Sequence, residues 1–325
     1  MRLLITGVRG FLGRGVGRLA ASKGYEVLGI GRRSKLEDPW PCTYVQADIA
    51  SFDLSPVIRD FAPDVILHAA GPASVRSSFS APLDDLRAGI LTWANTLESI
   101  RLSKHAPLVL FPSSAAVYGN PVTLPIMEES LVAPISPYGF HKAACELLAR
   151  EYSACFGLDV VICRLFSIFG PDQRRLLLWE LYQKFKGPEP DVWIEGSGEE
   201  IRDYLSMDDT AAALLQLTDN LRSKLHNVRT AICNYQIINV ASGEEIRVLK
   251  VARIIGQRLA SPKPIRSRQG ERQGDPPHWR ADISRLHSII PSWHPKPLGM
   301  SVSDCIAAWE SEDDPFAGHA QTQKV

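Results

Sequence analysis

Short apolar runs alternate with longer, helically periodic segments over the first half of the chain. Arg2 to Thr6, Glu26 to Ile30, Val65 to His68, Leu108 to Phe111 and Val160 to Cys163 are strand-length and almost continuously apolar. Helical spacing fills the intervals at Phe11 to Lys23, Asp84 to Ser103 and Tyr138 to Phe156. Short strands without polar alternation, separated by helices, predict an α/β fold whose parallel sheet is covered on both faces. After Gly170 the rhythm breaks at Pro and Gly clusters such as Gly187-Pro188-Glu189-Pro190 and Ser261-Pro262-Lys263-Pro264. A smaller, irregular lobe is expected there, over 166–310. The helix pattern Asp208 to Asn220 and the strand pattern Gln236 to Val240 return to the first lobe, so 1–165 is completed by parts of 203–255 and the two lobes interleave. From Ser311 the chain has little to bury, and 311–325 reads as a disordered tail.

Charge adds an exclusion. Lys plus Arg and Asp plus Glu both total 36 in 325 residues, a formal net charge of zero. No overall field draws the protein to nucleic acid or an anionic membrane, so an anionic ligand must be met by local arginines. No run approaches a membrane span, and Leu3 to Ile5 is too short for a signal segment. The six cysteines show neither C-x-x-C nor metal-ligand spacing. They read as reduced thiols of a cytoplasmic protein with no metal site.

Three segments carry chemistry. In "LLITGVRGFLGRG", Gly7, Gly10 and Gly13 follow a strand and open a helix through Phe11 and Leu12. Glycines allow a tight turn and close approach of a pyrophosphate, and the helix N-terminus offers free N–H groups to it, so the fold is read as a Rossmann-type, doubly wound sheet that binds a dinucleotide. The second strand ends in Gly31-Arg32-Arg33, where an acidic partner for a ribose hydroxyl would otherwise stand. Arginines there suit a 2′-phosphate, so NADP(H) is favoured over NAD(H); the plain alternative is a solvated basic surface. Asp48 and Ile49 follow another short strand, and His68-Ala69-Ala70-Gly71 ends the next with small residues over which a cofactor can lie. His68 by itself reads as a packed histidine.

The third segment is "SPYGFHKAACELL". Ser136 is a good N-cap, Pro137 suits the first helical position, and Tyr138 and Lys142 stand four residues apart on one helix face. A lysine ammonium and a helix N-terminus both favour the phenolate, which makes Tyr138 a proton shuttle.

Together, Thr6-Gly7-x-x-Gly10-x-x-Gly13, Asp48, Ser114 and Tyr138-x-x-x-Lys142 resemble the extended short-chain dehydrogenase/reductase family, specifically its nucleotide-sugar epimerases, dehydratases and reductases, over roughly residues 1–310. The resemblance implies Ser114, Tyr138 and Lys142 as the catalytic set. Ser114 would hold the reacting sugar oxygen, and Lys142 the nicotinamide ribose. Asp48 and Ile49 would contact the adenine. It implies a nucleotide-diphosphate sugar as substrate, with Arg202 of "IRDYLSMDD" on the diphosphate and Arg272 and Asp275 of "RQGDPP" on the nucleotide. The bland reading of Arg202 is an internal ion pair with Asp203, Asp208 or Asp209. Two positions depart from the family: Gly89 and Ser167 stand where Asn is frequent. Ser167 therefore implies an altered substrate-phosphate contact. The helical segments Leu83 to Ser103 and Tyr138 to Phe156 resemble those that pair in the family's homodimers.

Within that resemblance, Ala115 and Ala116 discriminate between reactions. The dehydratases carry Asp-Glu after this serine or threonine, the decarboxylating branch carries Glu at the second position, and the 3,5-epimerase/reductase branch carries Cys there. A methyl group exchanges no proton. What remains is 4-epimerisation through a 4-keto intermediate or, as the alternative that Arg32 and Arg33 favour, NADPH-dependent 4-ketoreduction. A non-catalytic dinucleotide sensor is the reading from another class, and the presence of Ser114, Tyr138 and Lys142 speaks against it.

Overall fold

The computed structural model describes residues 1–33, 42–227, 235–268, 274 and 276–311, with side chains described to 223 in the helix that ends at 227. Seven strands, β1 (Arg2–Thr6), β2 (Glu26–Gly31), β3 (Thr43–Gln46), β4 (Val65–His68), β5 (Leu108–Ser114), β6 (Val160–Leu165) and β7 (Tyr235–Val240), form one sheet in the order 7-6-5-4-1-2-3. Every pairing in it is parallel. The two-residue period of a strand divides each apolar run between two cores. Leu3 and Ile5, Leu108 and Leu110, and Val161 and Cys163 face one side. Leu4, Val109, Phe111, Val160 and Ile162 face the other.

Helices α1 (Phe11–Ser22), α8 (Met207–Asn227) and α10 (Ser284–Ile289) cover the first side, and α2 (Ser55–Phe61), α5 (Thr92–Ser103) and α6 (Pro137–Phe156) the second. A third core gathers α7 (Leu176–Lys186), α9 (Val248–Arg258) and α11 (Leu298–Glu310) around short strand pairs. β7 and α8 belong to the main sheet and its helical layer although the smaller lobe separates them from it in sequence. Among the described residues no helix is long and apolar enough to cross a membrane, no cysteine forms a disulfide, and no cluster of His, Cys, Asp and Glu is arranged to hold a metal ion. The tail expected after Ser311 lies outside the described residues from 312 onward.

The helix expected from Asp84 to Ser103 runs through, beginning two residues earlier at Pro82 and widening once along its length. α3 (Val75–Ser80) and α4 (Pro82–Leu86) precede a wide π turn, Arg87–Leu91, before α5 begins. Pro82 separates α4 from α3 and occupies the first position of α4, while at the π turn the Thr92 hydroxyl donates to the Ala88 and Gly89 carbonyls at 2.6 and 3.0 Å, competing with the backbone ladder. β5 runs three residues further than expected, because Pro112 to Ser114 pair with β6 beyond the point where β4 stops.

Helix α6 is fixed to this extension by buried polar contacts. Glu146 accepts from Ser113 Oγ at 2.6 Å and forms a forked pair with Arg164 of β6, Nε and Nη2 reaching its two oxygens at 3.0 and 2.7 Å. Arg164 also donates to the Glu128 carbonyl and lies over the Tyr118 ring. Both members of the pair are buried, so removing one leaves the other charge without its partner. Glu146→Ala is expected to lower unfolding free energy by roughly 3–5 kcal/mol, measured by urea denaturation. Replacing the pair by Glu146→Leu with Arg164→Met is expected to cost less than the single change.

Candidate active site

The sheet order reverses between β1 and β4, and ligands of such sheets bind in the crevice beyond the carboxyl ends of the strands at that point. Gly7 follows β1 with φ +66°, and a Cβ on it would lie 2.6 Å from the Ala70 backbone at the end of β4. A Cβ on Gly13 would lie 2.5 Å from the Gly7 carbonyl. The turn and the start of α1 therefore meet backbone to backbone, leaving a floor with no side chains. Gly10 is the N-cap and offers no side-chain acceptor to the first-turn N–H groups. Phe11 turns its ring into the core beside Gly170, so its backbone faces the cradle. Ala69, Ala70 and Gly71 form the opposite wall. These features fit a dinucleotide pyrophosphate, which Gly7, Gly10, Phe11, Leu12 and Gly13 would hold.

The structure brings Arg32 and Arg33 to the end of β2, exposed, and Asp48 to the turn after β3, where it accepts from Ala50 N at 3.1 Å. Ile49 is buried, and its carbonyl is fixed by Asn95 Nδ2 at 2.7 Å.

Ser114 ends β5, and its hydroxyl accepts from Ala116 N at 3.2 Å. Ala115–Tyr118 then forms a single 3-10 turn in which both alanines are buried. Tyr138 and Lys142 occupy adjacent turns of α6. Ser136 caps that helix by accepting from Gly139 N at 3.1 Å, and Ser78 accepts from Tyr138 N at 3.1 Å. The Lys142 ammonium donates to the Pro112 carbonyl at 2.8 Å, 4.7 Å from the Phe111 ring centroid and 5.8 Å from that of Tyr138. A Cβ on Gly139 would stand 2.6 Å from the Ala116 carbonyl. Close backbone approach of α6 to the 3-10 turn thus sets Tyr138 beside the alanine wall.

His68 lies under this site. Its Nδ1 is 3.1 Å from both the Thr6 and the Thr96 hydroxyl, and its ring packs on Trp93 with centroids 4.9 Å apart. Burial, with the Lys142 charge adding to it, pulls the imidazole down to about 3. It is a neutral core histidine.

Ser167 is half-buried beyond β6, with its N–H on the Asp203 carbonyl at 2.9 Å. Arg202 is buried, donates through Nη1 to the Ile201 and Pro277 carbonyls at 2.7 and 3.3 Å, and lies 5.6 Å from the Trp279 ring centroid. Asp203 accepts from Ser242 N and Oγ, both at 2.7 Å, and from Gly243 N at 2.9 Å. Burial pushes its carboxyl up to about 6 against those donors. Asp209 accepts from Ser206 Oγ at 2.6 Å. Arg272 and Asp275 lie outside the described residues.

Ser78, Asn95, Glu146 and Arg164 position this site, and the sequence reading missed them. Only Glu146 left a local signal: it continues the i, i+4 row of Tyr138 and Lys142 on a helix face otherwise filled with small residues.

Comparison with known proteins extends the picture. The family described as NAD dependent epimerase/dehydratase matches residues 3–241. A UDP-glucose 4-epimerase of Azospirillum brasilense is 31% identical over 98% of this chain and 94% of its own. The structure of a UDP-N-acetylglucosamine 4-epimerase from Methanobrevibacter ruminantium, in complex with UDP-N-acetylmuramic acid, is similar with a TM-score of 0.82 at 26% identity, over 95% of this chain and 97% of its own. An NAD-dependent NDP-hexosamine 5,6-dehydratase of tunicamycin biosynthesis has the same fold, TM-score 0.82 at 24% identity, over 96% and 99% of the two chains. The fold therefore hosts both chemistries.

Because the folded state holds His68 neutral while the unfolded chain protonates it below about 6.5, the unfolded state binds the extra proton as pH falls. Its contribution is complete above about pH 6.5 and is lost down to about pH 3 at roughly 1.4 kcal/mol per pH unit. His68→Asn is expected to flatten the pH dependence of unfolding free energy by about that slope in this window. Parallel slopes for the two proteins would refute the assignment.

Proposed function

Because this chain belongs to the NAD dependent epimerase/dehydratase family, we propose that it is a nucleotide-sugar 4-epimerase acting through a 4-keto intermediate. The observation that carries this reading is the wall beside Tyr138: Ser114 followed by two buried alanines, with no acid, base or thiol within it. Ser114 orients the C4 oxygen of the sugar. Tyr138 takes the proton from that hydroxyl and returns it after the sugar has turned over, while Lys142, anchored on the Pro112 carbonyl, stabilises the phenolate and holds the nicotinamide ribose. The bound nicotinamide supplies a reversible hydride acceptor for C4. Elimination of water needs a second proton donor or acceptor at C5 and C6, and Ala115 and Ala116 offer neither.

The dinucleotide lies on the glycine cradle in residues 1–165, completed by parts of 203–255. The smaller lobe over 166–310 takes the nucleotide-diphosphate sugar, with Arg202 on the diphosphate, Ser167 beside it, and Arg272 and Asp275 on the nucleotide. The cofactor preferred is NADP(H), which Gly31, Arg32 and Arg33 support. That same feature favours a second reading, a 4-ketoreductase drawing NADPH from solution. Two copies associate through the helical segments Leu83 to Ser103 and Tyr138 to Phe156, whose exposed apolar side chains Leu83, Leu91, Phe140 and Leu147 support a homodimer.

Incubation with UDP-glucose and no added reductant is expected to yield the C4 epimer at unchanged mass, detected by NMR and mass spectrometry. Tyr138→Phe is expected to slow it at least roughly 100-fold. Product 18 mass units lighter, about one water lost as in acid–base elimination, would overturn the epimerase reading. Turnover that requires a 4-keto sugar and consumes NADPH would transfer the assignment to the reductase. By light scattering the protein is expected to be a dimer and Leu147→Glu a monomer.

A further inference from the structure

Tyr138, His141, Lys142 and Cys145 stand at i, i+3, i+4 and i+7 on α6 and line one narrow crevice. Asp85 of α4 and Gly89 of the π turn line it from the opposite side. A Cβ on Gly89 would meet nothing nearer than Pro72 Cδ at 3.6 Å, so crowding does not demand the glycine, and no side chain reaches from it toward α6. One short polar contact joins the two sides. His141 Nδ1 lies 2.6 Å from Asp85 Oδ2.

An ionised carboxylate only accepts, so Nδ1 carries the proton and donates to Asp85. Asp85 is buried and the His141 side chain largely so, which shields this charge-assisted bond from water and makes its loss costly. The next residue, Lys142, is tied to a different element, donating to the Pro112 carbonyl of β5 at 2.8 Å. Consecutive helical residues project about 100° apart, so α6 is held from two directions at one level and cannot turn about its axis without loosening one tie. Tyr138, three residues before His141 and four before Lys142, lies over both anchors. The neighbouring ties act on the backbone instead: Ser78 accepts from Tyr138 N at 3.1 Å, and Trp93 Nε1 donates to the Cys145 carbonyl at 2.9 Å.

We propose that Asp85 and His141 are positioning residues for the catalytic face of α6: their bond fixes the rotation at which Tyr138 meets Ser114 and Lys142 meets the nicotinamide ribose. Neither side chain exchanges a proton with the substrate, and their effect passes through Tyr138 and Lys142. A small rotation of α6 is magnified at the end of a tyrosine side chain, and misplacement by about 1 Å is enough to slow a reaction roughly 100-fold. The inference rests on the Ser114, Tyr138 and Lys142 reading of the site, and it holds for an epimerase and a ketoreductase alike.

Steady-state kinetics with UDP-glucose and calorimetric titration of the full-length protein test it together. His141→Leu and Asp85→Ala are each expected to lower kcat roughly 10- to 100-fold with KM for UDP-glucose within about twofold of wild type. Combined, they are expected to cost no more than either alone, because both remove one contact. His141→Asn places an amide N–H where Nδ1–H stood and is expected to recover most of kcat. NADPH and NADH are expected to bind His141→Leu roughly 3- to 10-fold more weakly, while their adenine halves 2′,5′-ADP and ADP, which lack the nicotinamide ribose, bind as before. Additive losses in the double variant would overturn the positioning role, as would a His141→Asn protein as slow as His141→Leu. Equal weakening of the dinucleotides and their adenine halves would overturn it too, since that marks a general disturbance of the fold. Wild-type protein that leaves UDP-glucose unchanged would overturn the epimerase reading, and the paired titrations would still decide this inference.

Discussion

The junction between β5 and α6 is the constraint on which the candidate site depends. Ser114 ends the strand and Tyr138 opens the helix, and 23 residues of other structure intervene between them. Their relative position is held by contacts behind the site: Lys142 on the Pro112 carbonyl, and Ser113 and Arg164 on Glu146. Such a buried ion pair adds little net stability, because desolvation offsets its attraction. Its value is directional, since a forked guanidinium–carboxylate bond tolerates little rotation. A hydrophobic seam would hold α6 against the sheet as firmly but would let it slide, and sliding by half a turn would carry Tyr138 away from Ser114.

This division between local pattern and distant partner explains what was legible in the sequence. The glycine turn, the Ser136 cap and the Tyr138–Lys142 row are each written within about one helical turn, where dihedral preference and periodicity act. Strand positions were legible for the same reason, and their extents were not. β5 continues to Ser114 because β6 is there to receive it, and nothing in Pro112 to Ser114 announces that neighbour. The helix at 84–103 was legible, and its π turn was not, because that turn goes with the Thr92 hydroxyl reaching the Ala88 and Gly89 carbonyls while the helical spacing runs on unbroken. Ser78 and Arg164 reach the site across 60 and 18 residues respectively, and such partners follow only from the fold.

The wall of Ala115 and Ala116 illustrates how a site can be specific by omission. The 3-10 turn is closed by Ser114 accepting from Ala116 N, and Gly139 lets α6 approach its carbonyl. Both alanines are buried, so larger side chains there would have to displace packed neighbours. With methyl groups there, Ala115 and Ala116 bring no titratable group to the wall beside Tyr138, the proposed acid and base. Under the proposed epimerase reading, proton movement is then confined to one hydroxyl, which suits a reaction that must restore the sugar skeleton intact.

The exposed Arg32 and Arg33 at the end of β2 bear on the choice between epimerase and reductase less directly than their charge suggests. An epimerase returns the hydride to the sugar from which it came, so the redox poise of the cellular pool does not enter. What such an enzyme needs is a cofactor that does not leave between half-reactions, and added charge-assisted contacts slow release. A reductase needs the reverse, exchange of the cofactor at every turnover together with selection of the reduced pool. Basic side chains at the end of β2 therefore suit either chemistry, one through residence and the other through identity. The distinguishing physical quantity is the dissociation rate of the dinucleotide relative to turnover.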